Sequence, residues 1–233
     1  MRRRILILAA AVLVIGFPGV AQAADSQLPP AKRLPVAKVR FEQNATDGDV
    51  EVVFEITGPD EGLTKFTVVA PDGRTVVDFT APDADKKFGI REFIFESPEP
   101  TDVESLKAAY PAGEYSFAGA TAVGVEFRGS SSLSHKLPPT TSFLNPTERA
   151  TGVEFKNLEI GWTPVENVTG YVVELEQAKL DMKLIVTLPA STTKFAVPAG
   201  LLVPGMKYQL GIGTVSASGN VSFIETVFST VAE

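Results

Sequence analysis

The sequence predicts an all-β protein, with two tandem sandwich domains behind a cleaved export signal. Three observations predict it. Short segments of alternating apolar and polar residues recur through both halves, separated by turns containing Gly and Pro, which is the pattern of half-buried antiparallel strands. A stretch rich in Pro and Thr, "KLPPTTSFLNPTE" at 136–148, divides the chain. The first residues run from basic to apolar to small, in the order of a signal peptide.

The N-terminal element is the most clearly marked. Arg2, Arg3 and Arg4 precede an uncharged aliphatic run from Ile5 to Ile15; Gly16 and Pro18 then break a helix, and Ala21-Gln22-Ala23 forms an A-x-A site. Cleavage is expected after Ala23, giving a signal peptide at 1–23. A membrane anchor is the alternative, but the run is shorter than the ~20 residues a spanning helix needs. The signal has a bacterial character, so the expected destination is the periplasm or the extracellular medium. Residues 24–34, "ADSQLPPAKRL", read as a flexible lead-in. Three of the 21 Lys and Arg precede the cut and none of the 28 Asp and Glu does, so the processed chain carries 18 basic against 28 acidic residues, a net charge of −10. Such a chain is repelled by phosphate backbones, and nucleic acid is not an expected partner. No long Lys/Arg run is present to hold an anionic membrane surface. Cysteine is absent, which excludes disulfides, thiolate metal sites and cysteine nucleophiles. Stability must then come from the cores, and ~210 residues suffice for two of ~100 each.

The first domain is expected over 35–137. In "GDVEVVFEITG", Val50, Val52, Phe54 and Ile56 share one face, and Glu51, Val53, Glu55 and Thr57 share the other, as in a strand with a charged outer face. "KFTVVAPDGRTVVDF" is two β-branched runs around Pro71-Asp72-Gly73, a hairpin signal. "GIREFIFES" and "GEYSFAGA" are further strands, and "TDVESLKAAY" is a short helix capped by Thr101 or Asp102 and ended by Pro111. About seven short strands between turns give an immunoglobulin-like sandwich. Pro111 to Tyr115, "PAGEY", places a Tyr just after a Pro/Gly turn, a second, fainter instance of the tyrosine corner described next.

A linker is expected over 138–144 and a second domain over 145–233. In "LEIGW", Leu158, Ile160 and Trp162 lie on one face; in "YVVELE", Tyr171, Val173 and Leu175 do. Trp162, the single tryptophan, is therefore expected in the core rather than as an exposed platform for sugar stacking. Trp162-Thr163-Pro164 followed by Gly170-Tyr171-Val172-Val173 resembles the B and C strands of a fibronectin type III domain. Leu202, Pro204, Gly205 and Tyr208 match that family's L-x-P-G-x-x-Y corner, where the tyrosine hydroxyl fixes the turn. The resemblance departs in its scant A strand and in lacking Arg-Gly-Asp; the F–G loop "SASGN" holds only small polar residues, so integrin-type binding is not implied.

The available chemistry is thin. His135 is the only histidine, and it is expected to be exposed at a strand end beside the linker. No G-x-S-x-G elbow accompanies it, and one His without Cys is a poor basis for zinc. Acidic turns at Asp47/Asp49, Asp83/Asp85 and Glu96, Glu99, Asp102, Glu104 offer oxygen ligands, so calcium stands as a weaker alternative to no cofactor at all, without EF-hand spacing to support it. Triplets at Asn44, Asn167 and Asn220 fit glycosylation sequons but read as ordinary turn asparagines in a bacterial protein. No catalytic, cofactor-binding or metal residue is assigned. The expected function is an exported, non-enzymatic binding or spacer module, since the fibronectin resemblance implies interaction and no particular ligand. Its partner would be a protein or glycan of the envelope or extracellular space, met at the loop Ser216 to Asn220 or the acidic loops near Asp47 and Asp83. The alternative is a carbohydrate-active or other extracytoplasmic hydrolase using surface carboxylates, which a cleft lined by carboxylates and aromatics would favour.

Overall fold

The computed structural model describes residues 30–81, 89–100 and 102–232. The expected signal peptide at 1–23, most of the lead-in, and Asp83 and Asp85 lie outside the described residues. The first half contains β1 (Lys32–Arg33), β2 (Val36–Asn44), β3 (Asp49–Thr57), β4 (Lys65–Val69), β5 (Thr75–Thr80), β6 (Glu92–Glu96), α1 (Val103–Ala109), β7 (Gly113–Ala120) and β8 (Glu126–Leu133). One sheet runs β1-β8-β7-β4-β5, and β2-β3-β6 packs against it. The alternation in β3 does what period two requires: Val50, Val52, Phe54 and Ile56 are all buried in the core between the sheets, with Phe66, Val68, Tyr115 and Phe117 opposite. Val53 departs from the expected wet face. It is 1 % exposed, because β2 and β6 flank it and place Arg40 and Glu96 beside it across the strands. Asp102 caps α1, accepting from the N–H of Glu104 at 3.2 Å and of Ser105 at 3.0 Å. Tyr115 donates its hydroxyl to the Pro111 carbonyl at 3.1 Å, a tyrosine corner in this half as well.

The second half contains β9 (Phe143–Asn145), β10 (Glu159–Trp162), β11 (Gly170–Gln177), β12 (Met182–Pro189), β13 (Lys194–Ala196), β14 (Lys207–Val215) and β15 (Val221–Ser229). Strands β13-β10-β9 face β12-β11-β14-β15. This is the strand order of a fibronectin type III domain, with an A strand of only three residues. Trp162 is 1 % exposed and lies in the core, its ring 5.3 Å from that of Tyr171. The Tyr171 hydroxyl accepts from the Val165 N–H at 2.8 Å and so ties down the turn between β10 and β11. At the other corner the Val203 N–H donates to the Tyr208 hydroxyl at 2.8 Å, where Gly205 takes φ 66°, a conformation open to glycine. Tyr208→Phe removes that one bond and leaves the ring stack on Phe228. The expected loss is about 1 kcal/mol, read as a lower urea midpoint at unchanged slope.

The two halves are joined by more than a linker. β15 pairs in parallel with β2, Val221 opposite Glu42, Ser222 opposite Gln43 and Phe223 opposite Asn44. One seven-stranded sheet, β12-β11-β14-β15-β2-β3-β6, therefore crosses both. Asn220 is fully buried. Its Oδ1 accepts from the Phe41 N–H at 2.9 Å, and its Nδ2 donates to the carbonyls of Ser134 at 2.6 Å and Lys136 at 3.0 Å. The hydroxyls of Ser222 and Thr214 donate to the carbonyls of Pro138 and Pro139, each at 2.7 Å. Proline lacks an N–H but keeps its carbonyl, so the Pro-rich segment is held by its acceptors and is not a free spacer.

Candidate functional site: an acidic groove on the shared sheet

The fused sheet creates a surface that neither half has alone. Register places Thr187, Val172, Gly213, Phe223, Asn44 and Asp49 in one outward row across it, and Ile185, Glu174, Gly211 and Glu225 in the next. Phe223 lies over Gly213: a Cβ there would come within 2.8 Å of the Phe223 ring, so glycine is what lets the ring lie flat. Gly211 is different. A Cβ there would meet its neighbours at 3.6 Å or more, so its missing side chain leaves a trough between Glu174 and Glu225.

Two contiguous hollows follow this trough. One, of about 400 Å³, has an apolar floor of Val172, Ile185, Val221 and Phe223, with Lys38 and Arg40 at its margin. The other, of about 240 Å³, is lined by Glu42, Asp47, Asp49, Glu51, Glu99 and Glu225, with no Lys or Arg among the described residues. Glu42, Glu174 and Phe223 belong to both. The carboxylates meet because outward strand positions are charged in each half, and the β15–β2 pairing brings those positions side by side. Positive charge only partly answers them. Arg40 sits 2.8 Å from Glu42 and 3.6 Å from Glu55, and Lys183 is 3.8 Å from Glu174 but 2.5 Å from Glu176.

The electrostatic result is a carboxyl group that binds its proton more tightly than usual. Burial first, then the neighbouring Glu42 and Glu96, against a smaller opposing effect of Arg40, raise the pKa of Glu51 from 4.5 to about 7. Burial, together with Glu42, Glu176 and Glu225, also raises Glu174 despite Lys183. An acid whose folded pKa lies above its unfolded value binds more protons folded than unfolded, so its stabilising contribution is present below pH 4.5 and is lost as pH rises through about 7. Glu51→Gln, a neutral isostere, should therefore raise the unfolding midpoint at pH 8 and leave it nearly unchanged at pH 4. Discounted for the half-exposed setting, the gain at pH 8 is about 1 kcal/mol. A thermal melt series of both proteins across pH 4–8 measures it.

Of the acidic positions singled out in the sequence, Asp47, Asp49 and Glu99 enter the groove. Asp102 does not; it is occupied as a helix cap. Glu104 pairs with Lys107 at 2.8 Å. Among the described residues no group of three His, Asp or Glu side chains is arranged to hold a metal ion. His135 is not the exposed strand-end residue expected. It is half-buried, its Nε2 2.8 Å from the Tyr110 carbonyl and its ring tilted against Phe41 at 5.2 Å. The F–G loop is exposed only at Ala217 and Ser218, and Asn220 is a buried clamp rather than a turn asparagine. Asn167, at φ 60°, and Asn44, bonded to Asp47 and to the Thr46 N–H, are turn residues. Sequence reasoning missed Glu42, Glu51, Glu174 and Glu225 as a group, although each occupies the outward phase of its strand.

No family model matches the chain, and no curated protein matches it. Among solved structures it is similar to a segment of two fibronectin type III domains from chicken tenascin, at 20 % identity over 83 % of this chain and 99 % of that one, with a TM-score of 0.31. It is also similar to the fibronectin(III)-like modules of CbhA from Clostridium thermocellum, at 10 % identity over 85 % of this chain and 92 % of that one, with a TM-score of 0.35. Among the described residues no helix is long and apolar enough to cross a membrane.

Proposed function

We propose that this chain is an exported, non-enzymatic binding and spacing module of the bacterial envelope or extracellular space, in which two sandwich domains, about 35–137 and 145–233, are held in one fixed relation. The observation that supports this reading is the clamp at Asn220 together with the β15–β2 pairing. Side chains from one half saturate the backbone of the other, which is costly to undo and unnecessary in a chain whose two halves work independently. A fixed pair of domains can present a composite surface, and the groove is that surface. Its use in binding needs no nucleophile, and the sole histidine is engaged with Tyr110 and Phe41.

The raised pKa of Glu51 favours a second reading, in which it acts as the general acid of a hydrolase beside another groove carboxylate. Phe223, the single aromatic among the groove's described residues, is 9 % exposed and packed over Gly213, which makes it a poor platform for a sugar. Affinity capture from envelope fractions, run beside a turnover assay on glycoside, peptide and ester substrates, separates the two. The module should retain a specific partner and turn over nothing. Turnover by pure protein that is lost in Glu51→Gln makes it a hydrolase.

A further inference from the structure

The groove combines two recognition chemistries on one sheet face. Its floor is apolar and is open at one side: Ile185 is 53 % exposed on the edge strand β12, with Val172 half-buried beside it. Its far end is a concentration of carboxylates with no cation among the described lining residues, where burial first and neighbouring carboxylates second raise the pKa of Glu51. An occupant that covers the apolar floor and brings a positive charge to the acidic end satisfies both. An apolar solute would leave the carboxylates unanswered, and a bare cation would leave the floor wet.

We propose that this groove is the docking site of an extended segment of another protein in which Lys or Arg residues lie next to apolar ones. The apolar side chains rest on Val172 and Ile185. The cation enters among Glu42, Glu51, Glu174 and Glu225, where it gains from a half-desolvated setting. Lys38 and Arg40, which line the apolar hollow and not the acidic one, disfavour a second cation on the floor and set the direction of the segment. The proposal rests on the reading of the chain as a binding module and names the chemistry of its partner.

The test uses the full chain and two fluorescein-labelled peptides of ~8 residues, the length of a strand, one alternating Lys with Val and the other alternating Glu with Val. Fluorescence anisotropy should show the Lys peptide binding at least ~10-fold more tightly than the Glu peptide, with an affinity that falls as salt rises. Glu51→Gln/Glu174→Gln should weaken the Lys peptide ~10-fold or more, and Ile185→Ser should weaken it at unchanged salt dependence. Glu148→Gln/Glu166→Gln, which removes the same charge from exposed positions outside the groove, should leave binding intact. Equal weakening by both double variants would mean attraction to net charge alone and would overturn the proposal. So would binding of neither peptide at ~1 mM, or calcium binding that is lost in Glu51→Gln/Glu174→Gln without any peptide binding. If envelope partners are captured equally well by wild type and by Glu51→Gln/Glu174→Gln, the groove fails as the docking site while the binding-module reading stands.

Discussion

Asn220→Ala should lower the stability of the protein by about 3–5 kcal/mol and should split one unfolding transition into two. The Asn220 side chain serves three backbone groups at once: the Phe41 N–H and the carbonyls of Ser134 and Lys136. Asn220 itself is 0 % exposed, so water does not reach it in the folded protein. Each buried group left without a partner costs about 1–3 kcal/mol, and some relaxation is expected. The loss falls on the junction, because Phe41 belongs to β2, and Ser134 and Lys136 follow β8. The remaining contacts across it are three residues of parallel pairing, the Ala45 N–H on the Phe223 carbonyl, Gln43 with Ser222, Thr46 with Glu225, and the two hydroxyls on Pro138 and Pro139; most lie at the exposed end of the junction, and they are expected not to hold the two cores in one transition. Calorimetry reads both effects. Asn220→Asp is the sharper control, since it keeps the acceptor for Phe41 but turns a carboxylate toward two carbonyls; it should be at least as destabilising. A single transition at the wild-type temperature in both variants would mean the cores are coupled elsewhere.

The same residue shows where the sequence was legible and where it was not. Strand patterning located β3 and β7 closely, and two β-branched runs around Pro71-Asp72-Gly73 located β4 and β5, because short-range pattern and turn residues carry these signals. The tyrosine corner located β14, and the B–C signature located β10 and β11, because local spacing fixes both. The junction is different in kind. Its pairs are separated by 179 residues, Phe41 with Asn220 and Gln43 with Ser222, and nothing in "SASGNVSFIE" or "KLPPTT" says that one binds the other. Polar residues in a loop have the composition of a turn whether they meet water or a carbonyl. One signal was present: in β15 both phases carry bulky apolar side chains, Val221 and Phe223 in one and Ile224 and Phe228 in the other, which suits a strand covered on both faces more than an open edge. The groove inherits this limit, since Glu42 and Glu51 belong to one half and Glu174 and Glu225 to the other.

Trp162→Ala should cost about 3–5 kcal/mol, the usual cost of deleting a large buried aromatic. The residue ends β10, with Ile160 beside it in phase and Tyr171 against its ring. All three are buried to within 1 % of full exclusion. Truncation opens a cavity at the centre of the second core and frees the Tyr171 ring, whose hydroxyl orders the turn at Val165. The indole Nε1 makes no hydrogen bond to the protein, so packing alone is at stake. Trp162→Phe should then cost far less, about 1 kcal/mol, because it keeps an aromatic ring and removes a buried donor. Circular dichroism in urea follows both variants without relying on the tryptophan signal. The loss should appear in the transition of the second core and leave the first unchanged once the two are uncoupled by Asn220→Ala. An unchanged midpoint for Trp162→Ala, accompanied by lost binding to a polysaccharide, would make the indole a ligand platform and take it out of the core.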